Sequence, residues 1–278
     1  MSMLAADVPV LRQFQRAMVQ DDREKAEGIL RQALVQEPNR PAIHVALARL
    51  RWPGPDYLHW LAWFHRQLQP AVYLEIGVES GKSLALVQPR SHVIAIDPAP
   101  VGNPLQACPA KGELFCQTSA AFFSHVPPDS LLARSGFDLA FIDGDHRFDT
   151  VLDDFIAVEK HASANAVVLL HDTLPLTAST SGSIRATGFY SGDAWKIVPC
   201  LRALRPDLRI TTVPAAPTGL TVITGLNPGS TLLREQRDAI RQAYADLPSE
   251  MAVDHPHALL MLGRNDPAWM QDWLAHVR

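Results

Sequence analysis

The sequence is poor in cysteine, in net charge and in long apolar runs, and each shortage removes a class of protein. Three cysteines occur in 278 residues, Cys108, Cys116 and Cys200, an odd number with no C-x-x-C pair. That usage fits neither a disulfide framework nor a structural zinc site. Lys and Arg number 25 against 29 Asp and Glu, for a net charge of −4. Without a basic stripe to neutralise phosphates, a nucleic-acid partner is not expected. No apolar run approaches the roughly 18 residues that a bilayer-spanning helix requires. The first residues, MSMLAADVPVLRQFQR, lack a long apolar core followed by a small-residue cleavage site. The expectation is a cytoplasmic protein with no membrane partner.

With 47% apolar and 19% charged residues, the chain can fill a good-sized α/β core and still carry accessory helices. Val10, Phe14 and Met18 recur at helical spacing, as do Ala26, Leu30, Ala33 and Leu34, which predicts helices from about Val8 to Leu50. Asp21 with Glu24 fits a helix start, and Pro41 the first turn of the next helix. Ala26 to Leu50 resembles one tetratricopeptide unit, whereas stacked repeats need roughly three to be stable. A helical arm over 1–52, packed on the main domain or on a sister subunit, is the simpler expectation. Two prolines and a glycine in RWPGPDY (Arg51 to Tyr57) mark the boundary.

An aromatic helix follows from Leu58 to Leu68, and then short apolar runs alternate with helical stretches. The runs are Val72–Val78, Val93–Ile96, Leu114–Cys116, Leu139–Ile142 and Val167–Leu170. Alternation of that kind means a parallel sheet with both faces covered. Ile210–Val213 and Leu220–Ile223 lie close together, as in a hairpin. The expected fold is α/β, a doubly wound, mostly parallel sheet ending in an antiparallel hairpin. Its main domain spans 53–227, and a helical extension covers 228–278, with helices over about Thr231 to Ala245 and from Asp266-Pro267 onward.

The stretch EIGVESGKS (Glu75 to Ser83) ends like a phosphate loop, but only Val78, Glu79 and Ser80 separate Gly77 from Gly81. A phosphate loop has four residues there. Glu75 and Glu79 would also repel a polyphosphate. Acidic side chains suit a cationic ligand instead, such as S-adenosyl-L-methionine with its sulfonium and α-ammonium. The second strand ends in Asp97, placed to accept from both ribose hydroxyls of such a ligand.

Two further strand ends carry chemistry, Asp143-Gly144-Asp145-His146 and His171-Asp172. Carboxylates and imidazole meeting at the open edge of the sheet suit a divalent cation with positions left for substrate oxygens. At its ordinary pKa near 6.5, His146 could accept a proton at neutral pH. The segment Leu174 to Trp195, rich in Gly, Ser and Thr, reads as a loop able to close over the site. Arg185, Tyr190, Asp193 and Trp195 are its candidates for contact.

Glu75-x-Gly77-x-x-x-Gly81, Asp97, FIDGDH and HDT together resemble class I methyltransferases. The resemblance covers roughly Tyr57 to Pro228. It is nearest to the macrocin-type and mycinamicin-type sugar O-methyltransferases, which cephalosporin-hydroxylase-like proteins also resemble. It implies that Glu75, Gly77, Glu79 and Gly81 line the methionine end of S-adenosyl-L-methionine. Ser83, in the first turn of a following helix, is implied to meet its carboxylate, and Thr118 and Ser119 to meet adenine. It implies Asp143 and Asp172 as ligands of magnesium or manganese, with Asp143 also bordering the cofactor, and His146 as general base.

The sugar methyltransferases have an acidic residue where this chain has His171. Imidazole is a poor ligand for hard Mg²⁺ and a better one for Mn²⁺, Fe²⁺ or Zn²⁺. His171 therefore leaves three readings open: a ligand to a softer metal, a bystander, or a mark of lost metal dependence. The expected activity is metal-assisted methyl transfer to a hydroxyl of a small polyhydroxylated acceptor, a sugar or a glycosylated metabolite. Its rivals are a metal-independent methyltransferase, a hydroxylase-type relative with the same pocket, and a cofactor-binding pseudo-enzyme whose arm recruits a partner. Helical extensions at both ends suggest a homo-oligomer.

Overall fold

The computed structural model describes residues 3–275. The outermost positions of the expected arm and C-terminal extension, 1–2 and 276–278, lie outside the described residues. Seven strands form one sheet: β1 (Val72–Ile76), β2 (His92–Ile96), β3 (Lys111–Phe115), β4 (Phe137–Ile142), β5 (Ala162–His171), β6 (Arg209–Val213) and β7 (Leu220–Thr224). Their order is β3-β2-β1-β4-β5-β7-β6, parallel from β3 through β5, with β7 antiparallel to both β5 and β6. All seven expected strands are present, and the doubly wound sheet with its terminal hairpin is the fold.

The apolar runs are continuous because both faces of the sheet are buried. Alternation within each strand then divides the side chains between two cores. Val72, Leu74, Ile76, Ile94 and Ile96 point to one face. Over them lie α5 (Ser119–Ser124), α6 (Leu131–Ser135), α7 (Phe148–Glu159) and α8 (Ile197–Leu204). Tyr73, Val93, Ala95, Leu139 and Phe141 point to the other face. There α4 (Tyr57–Leu68) and α13 (Pro267–Ala275) cover them with Trp60, Leu61, Phe64 and Met270. Trp60 Nε1 donates to Asn265 Oδ1 at 2.6 Å, tying the approach to α13 onto α4.

The arm consists of α1 (Met3–Val19), α2 (Arg23–Gln36) and α3 (Pro41–Arg51). Asp22, not Asp21, caps α2, accepting from Lys25 N at 3.0 Å, and Pro41 opens α3 as expected. These helices share a core with Leu176 and Phe189 of the long loop behind β5, so the arm packs on its own domain. After the hairpin come α9 (Leu232–Glu235), α10 (Arg237–Ala245), α11 (Glu250–Asp254) and α12 (Pro256–Leu259). The single helix expected from Thr231 to Ala245 breaks at Gln236.

The helix expected after the glycine loop is absent. A 3₁₀ turn, Leu84–Leu86, stands there instead, and Pro89 three residues on bars its extension. No helix among the described residues is long and apolar enough to cross a membrane.

Candidate functional site

The strand order reverses between β1 and β4, and open α/β sheets bind their ligands at the carboxyl ends beside such a point. A cavity of about 900 Å³ lies there. Its wall follows the strand tips: Thr118 and Ser119 after β3, Asp97 after β2, Gly77 and Glu79 after β1, Asp143 to His146 after β4, and His171 and Asp172 at β5. Five of the expected site residues outside the cluster, and all four within it, therefore share one cavity. Arg185 and Tyr190 of the long loop close its outer side.

Asp97 fastens the glycine loop. Its Oδ2 accepts from Val78 N at 3.0 Å and Glu79 N at 2.8 Å, and its Oδ1 from Ala99 N at 2.8 Å. The carboxylate expected to hold ribose is thus first a bracket between the β1 and β2 tips, and it borders the cavity. Glu79 has a positive φ of 44° and borders the cavity, where its carboxylate can meet an ammonium group. Thr118 caps α5, accepting from Ala121 N at 3.2 Å.

Glu75 and Ser83 correct the expectation. Both are buried behind the loop and do not border the cavity. Ser83 Oγ donates to Glu75 Oε1, and Tyr73 Oη donates to Oε2 at 2.7 Å. Burial pushes Glu75 up to about 8, against the pull of those two hydrogen bonds, so it holds a proton at neutral pH. The pair buttresses the loop from beneath. Gly81 likewise shapes the turn, against Pro104, rather than facing the cavity.

The β4 and β5 tips bring two carboxylates and two imidazoles together. His171 Nδ1 lies 3.1 Å from Asp143 Oδ1 and 3.5 Å from Asp172 Oδ2. His146 Nδ1 lies 2.9 Å from Asp172 Oδ2, and its Nε2 3.7 Å from Asp143 Oδ1. Asp143, His146 and Asp172 each present a ligand atom within 4.8 Å of the others. His146 therefore enters the group of potential ligands, a part the sequence reading gave to His171. The signal was the shared strand-tip position of both histidines. Asp172 Oδ2 is buried and has no aligned hydrogen-bond donor despite the imidazoles beside it. A buried carboxylate oxygen held only by ion pairing, with no aligned donor, is one a cation could use.

Without a cation the imidazoles neutralise the carboxylates. Burial works to lower His146, but Asp172 and then Asp143 outweigh it and carry its pKa to about 9. His171 is raised well above its ordinary value by the same two carboxylates, against burial. Asp172 is held far below the usual range by the imidazoles, although burial opposes this. The ordinary pKa expected for His146 is thus not what the structure gives: flanked by two carboxylates, the ring holds its proton more tightly.

Second contacts fix the rings. His171 Nε2 meets Thr218 Oγ1 at 3.3 Å, and Tyr57 covers the ring at 4.2 Å between centroids. His146 stacks on Tyr190 at 5.9 Å with 7° between planes. Asp193 does not reach the cavity. It accepts from Phe148 N at 2.8 Å and pairs with buried Lys196 at 3.0 Å, securing the start of α7 just behind His146. Trp195 is core, and Asp145, on the cavity wall, pairs with Arg147 at 2.6 Å.

Residues 74–173 match a family model described as a methyltransferase domain. That span runs from β1 to just beyond β5 and holds the glycine loop, Asp97 and the whole cluster. No curated protein matches the chain. Among solved structures, cofactor-bound Rv0187 from MTB is 17% identical over 60% of this chain and 78% of its own, with a TM-score of 0.46. The O-methyltransferase TomG from Streptomyces achromogenes, involved in tomaymycin synthesis and in complex with SAM, is 17% identical over 59% and 77%, at 0.43. The SAH-bound methyltransferase PaMTH1 from Podospora anserina is 18% identical over 65% and 85%, at 0.43. The fold itself rests on the strand order.

Proposed function

We propose that the protein is an S-adenosylmethionine-dependent O-methyltransferase, assisted by a divalent cation (Mg²⁺ or Mn²⁺), acting on a hydroxyl of a small polyhydroxylated molecule. The observation that carries this reading is that the glycine loop, Asp97 and the Asp143–His146–Asp172 cluster open into one cavity. Its acidic wall suits a cationic sulfonium and repels a polyphosphate. The acceptor class, a sugar or glycosylated metabolite, is supported by the resemblance of the EIGVESG, FIDGDH and HDT segments alone.

Asp143 and Asp172, with His171, would hold the cation, whose chemistry would be to lower the pKa of a bound hydroxyl. The chain's own groups supply the rest. Glu79 takes the ammonium, the loop backbone and Asp97 orient the nucleoside, and Tyr190 keeps the His146 ring in place. With the charges of Asp143 and Asp172 offset, His146 can lose its proton and accept that of the acceptor at Nε2. Such a positioned base is worth roughly 10²–10⁴ in rate. Holding the hydroxyl oxygen in line with the methyl–sulfur bond accounts for much of the remainder.

One observation favours a metal-independent variant of the same reaction: the imidazoles already neutralise the carboxylates they face. Calorimetric titration with S-adenosylhomocysteine, with EDTA and with added Mg²⁺ or Mn²⁺, separates the two. Binding is expected in all conditions, and turnover of a panel of sugar acceptors only where metal is present. Absence of binding would remove the cofactor reading, and turnover indifferent to EDTA would remove the metal. His146→Ala should lose at least about 100-fold in turnover and keep its affinity for S-adenosylhomocysteine.

A further inference from the structure

One buried carboxyl in the cavity wall takes no part in the chemistry described above. Asp154, on α7, is 3% exposed yet borders the cavity. The reacting cluster stands at the β4 and β5 tips, so a nucleoside reaching away from it past Gly77 and Asp97 arrives at the β3 tip. There the wall turns apolar, with Ile96, Pro98, Ala120, Phe123 and Ala157. Apolar side chains of this kind suit the face of a flat aromatic base. Asp154 is the buried polar side chain beside them, on the same stretch of wall as Ser119.

Among the described residues, no cation is among the groups that act on this carboxyl. The charged groups acting on it are Asp153 on its own helix and Asp145 at the β4 tip, both acidic. Asp153 is itself engaged by Arg237 at 2.8 Å and Arg241 at 2.6 Å. Burial, helped by the acidic neighbours and opposed by a side-chain hydrogen bond with Ser119, pushes Asp154 up to about 7. A neutral carboxyl carries one donor and one acceptor side by side. The Watson–Crick edge of adenine presents the complementary pair, an N6 amino donor and an N1 acceptor.

Resting on the reading of this cavity as a methyl-donor site, we propose that Asp154 is its base-reading residue, accepting from adenine N6 and donating to N1. The role is recognition, and the residue is remote from the transferred methyl group. It predicts that the site distinguishes adenine from bases with an altered N6, because a buried polar group left unpaired penalises the wrong ligand.

The test is calorimetric titration of the full chain with S-adenosylhomocysteine and with its N6,N6-dimethyl analogue. The unaltered protein should bind the first at least about tenfold more tightly, the order expected for one buried hydrogen bond. Asp154→Ala should lose about tenfold in affinity for S-adenosylhomocysteine and show little preference between the two ligands. Asp154→Asn keeps a donor beside an acceptor, so affinity and preference should both return. Equal binding of the two ligands by the unaltered protein overturns the proposal, and that comparison needs no variant to fold. Undiminished binding by Asp154→Ala, or an Asn variant as weak as the Ala variant, overturns it as well. Failure of the unaltered protein to bind either ligand removes the methyl-donor reading and this inference together.

Discussion

At the scale of single residues, Gly77 joins the two halves of the site. Its φ is +84°, and a Cβ there would stand 2.0 Å from the carbonyl oxygen of Asp143. A side chain cannot be accommodated without separating the β1 loop from the β4 tip. Gly77→Ala should therefore weaken S-adenosylhomocysteine binding by at least about tenfold, the cost of forcing a left-handed residue and a backbone clash together. Calorimetry at neutral pH reads it, and an unchanged dissociation constant would mean that the loop does not shape the pocket. Gly77, Asp97, Asp143 and Asp172 were legible because a residue ending a parallel strand lands on the ligand edge wherever the strand falls in the sheet. Glu75 was misread, although the signal was present. In a strand, alternate side chains share a face, so Glu75 goes with Tyr73 beneath the sheet and not with the loop. Asp154 and Tyr190 carried no such signal, since what brings them to the cavity is the packing of α7 and the path of an aperiodic loop.

At the scale of elements, the arm braces the loop that closes the cavity. Arg51 of α3 reaches Leu176 O at 3.0 Å while paired with Glu27 of α2 at 2.9 Å. Gly188 N donates to Asn39 Oδ1 at 2.7 Å, and His44 stacks on Phe189 at 5.0 Å. Phe189 and Tyr190 are neighbours, so the arm's hold on the first fixes the second against His146. Arg51→Ala removes the bridge and leaves the Leu176 carbonyl short of a donor, a change of about 1–3 kcal/mol. Amide exchange should then quicken across Leu174 to Ser191 and stay unchanged in β1 and β4. Uniform exchange across both regions would show that the arm does not support the loop. The strands and most helices were legible from periodicity, because burial on both sheet faces writes apolar runs into the sequence. The missing helix after β1 was not. Leu84, Ala85 and Leu86 suit a helix, but Pro89 and the apposition of Gly81 to Pro104 leave room for a single turn.

At the scale of the whole molecule, the site and its supports tilt stability with pH. Glu75, at about 8 against 4.5, and Asp154, at about 7 against 3.8, bind protons more tightly folded than unfolded. His146, at about 9 against 6.5, does the same. A group raised in the folded state contributes fully only below its unfolded value, and the contribution drains as pH climbs through the folded one. His44, His65 and His161 are shifted downward, chiefly by burial, and their opposing effect is confined below about 6.5, the ordinary histidine value. From pH 6.5 to 9 those three histidines no longer oppose the losses, and the melting temperature should fall by at least about 5 °C. Glu75→Gln keeps the shape of the side chain without the charge, so it should flatten the slope while sparing the fold. A melting temperature that stays level or rises over this range would mean that Glu75 and His146 are not held as protonated partners beneath and beside the glycine loop. The same protons link stability to function. If a cation binds between Asp143 and Asp172 as proposed, it would displace the positive charge on His146, so metal should bind more tightly as pH rises.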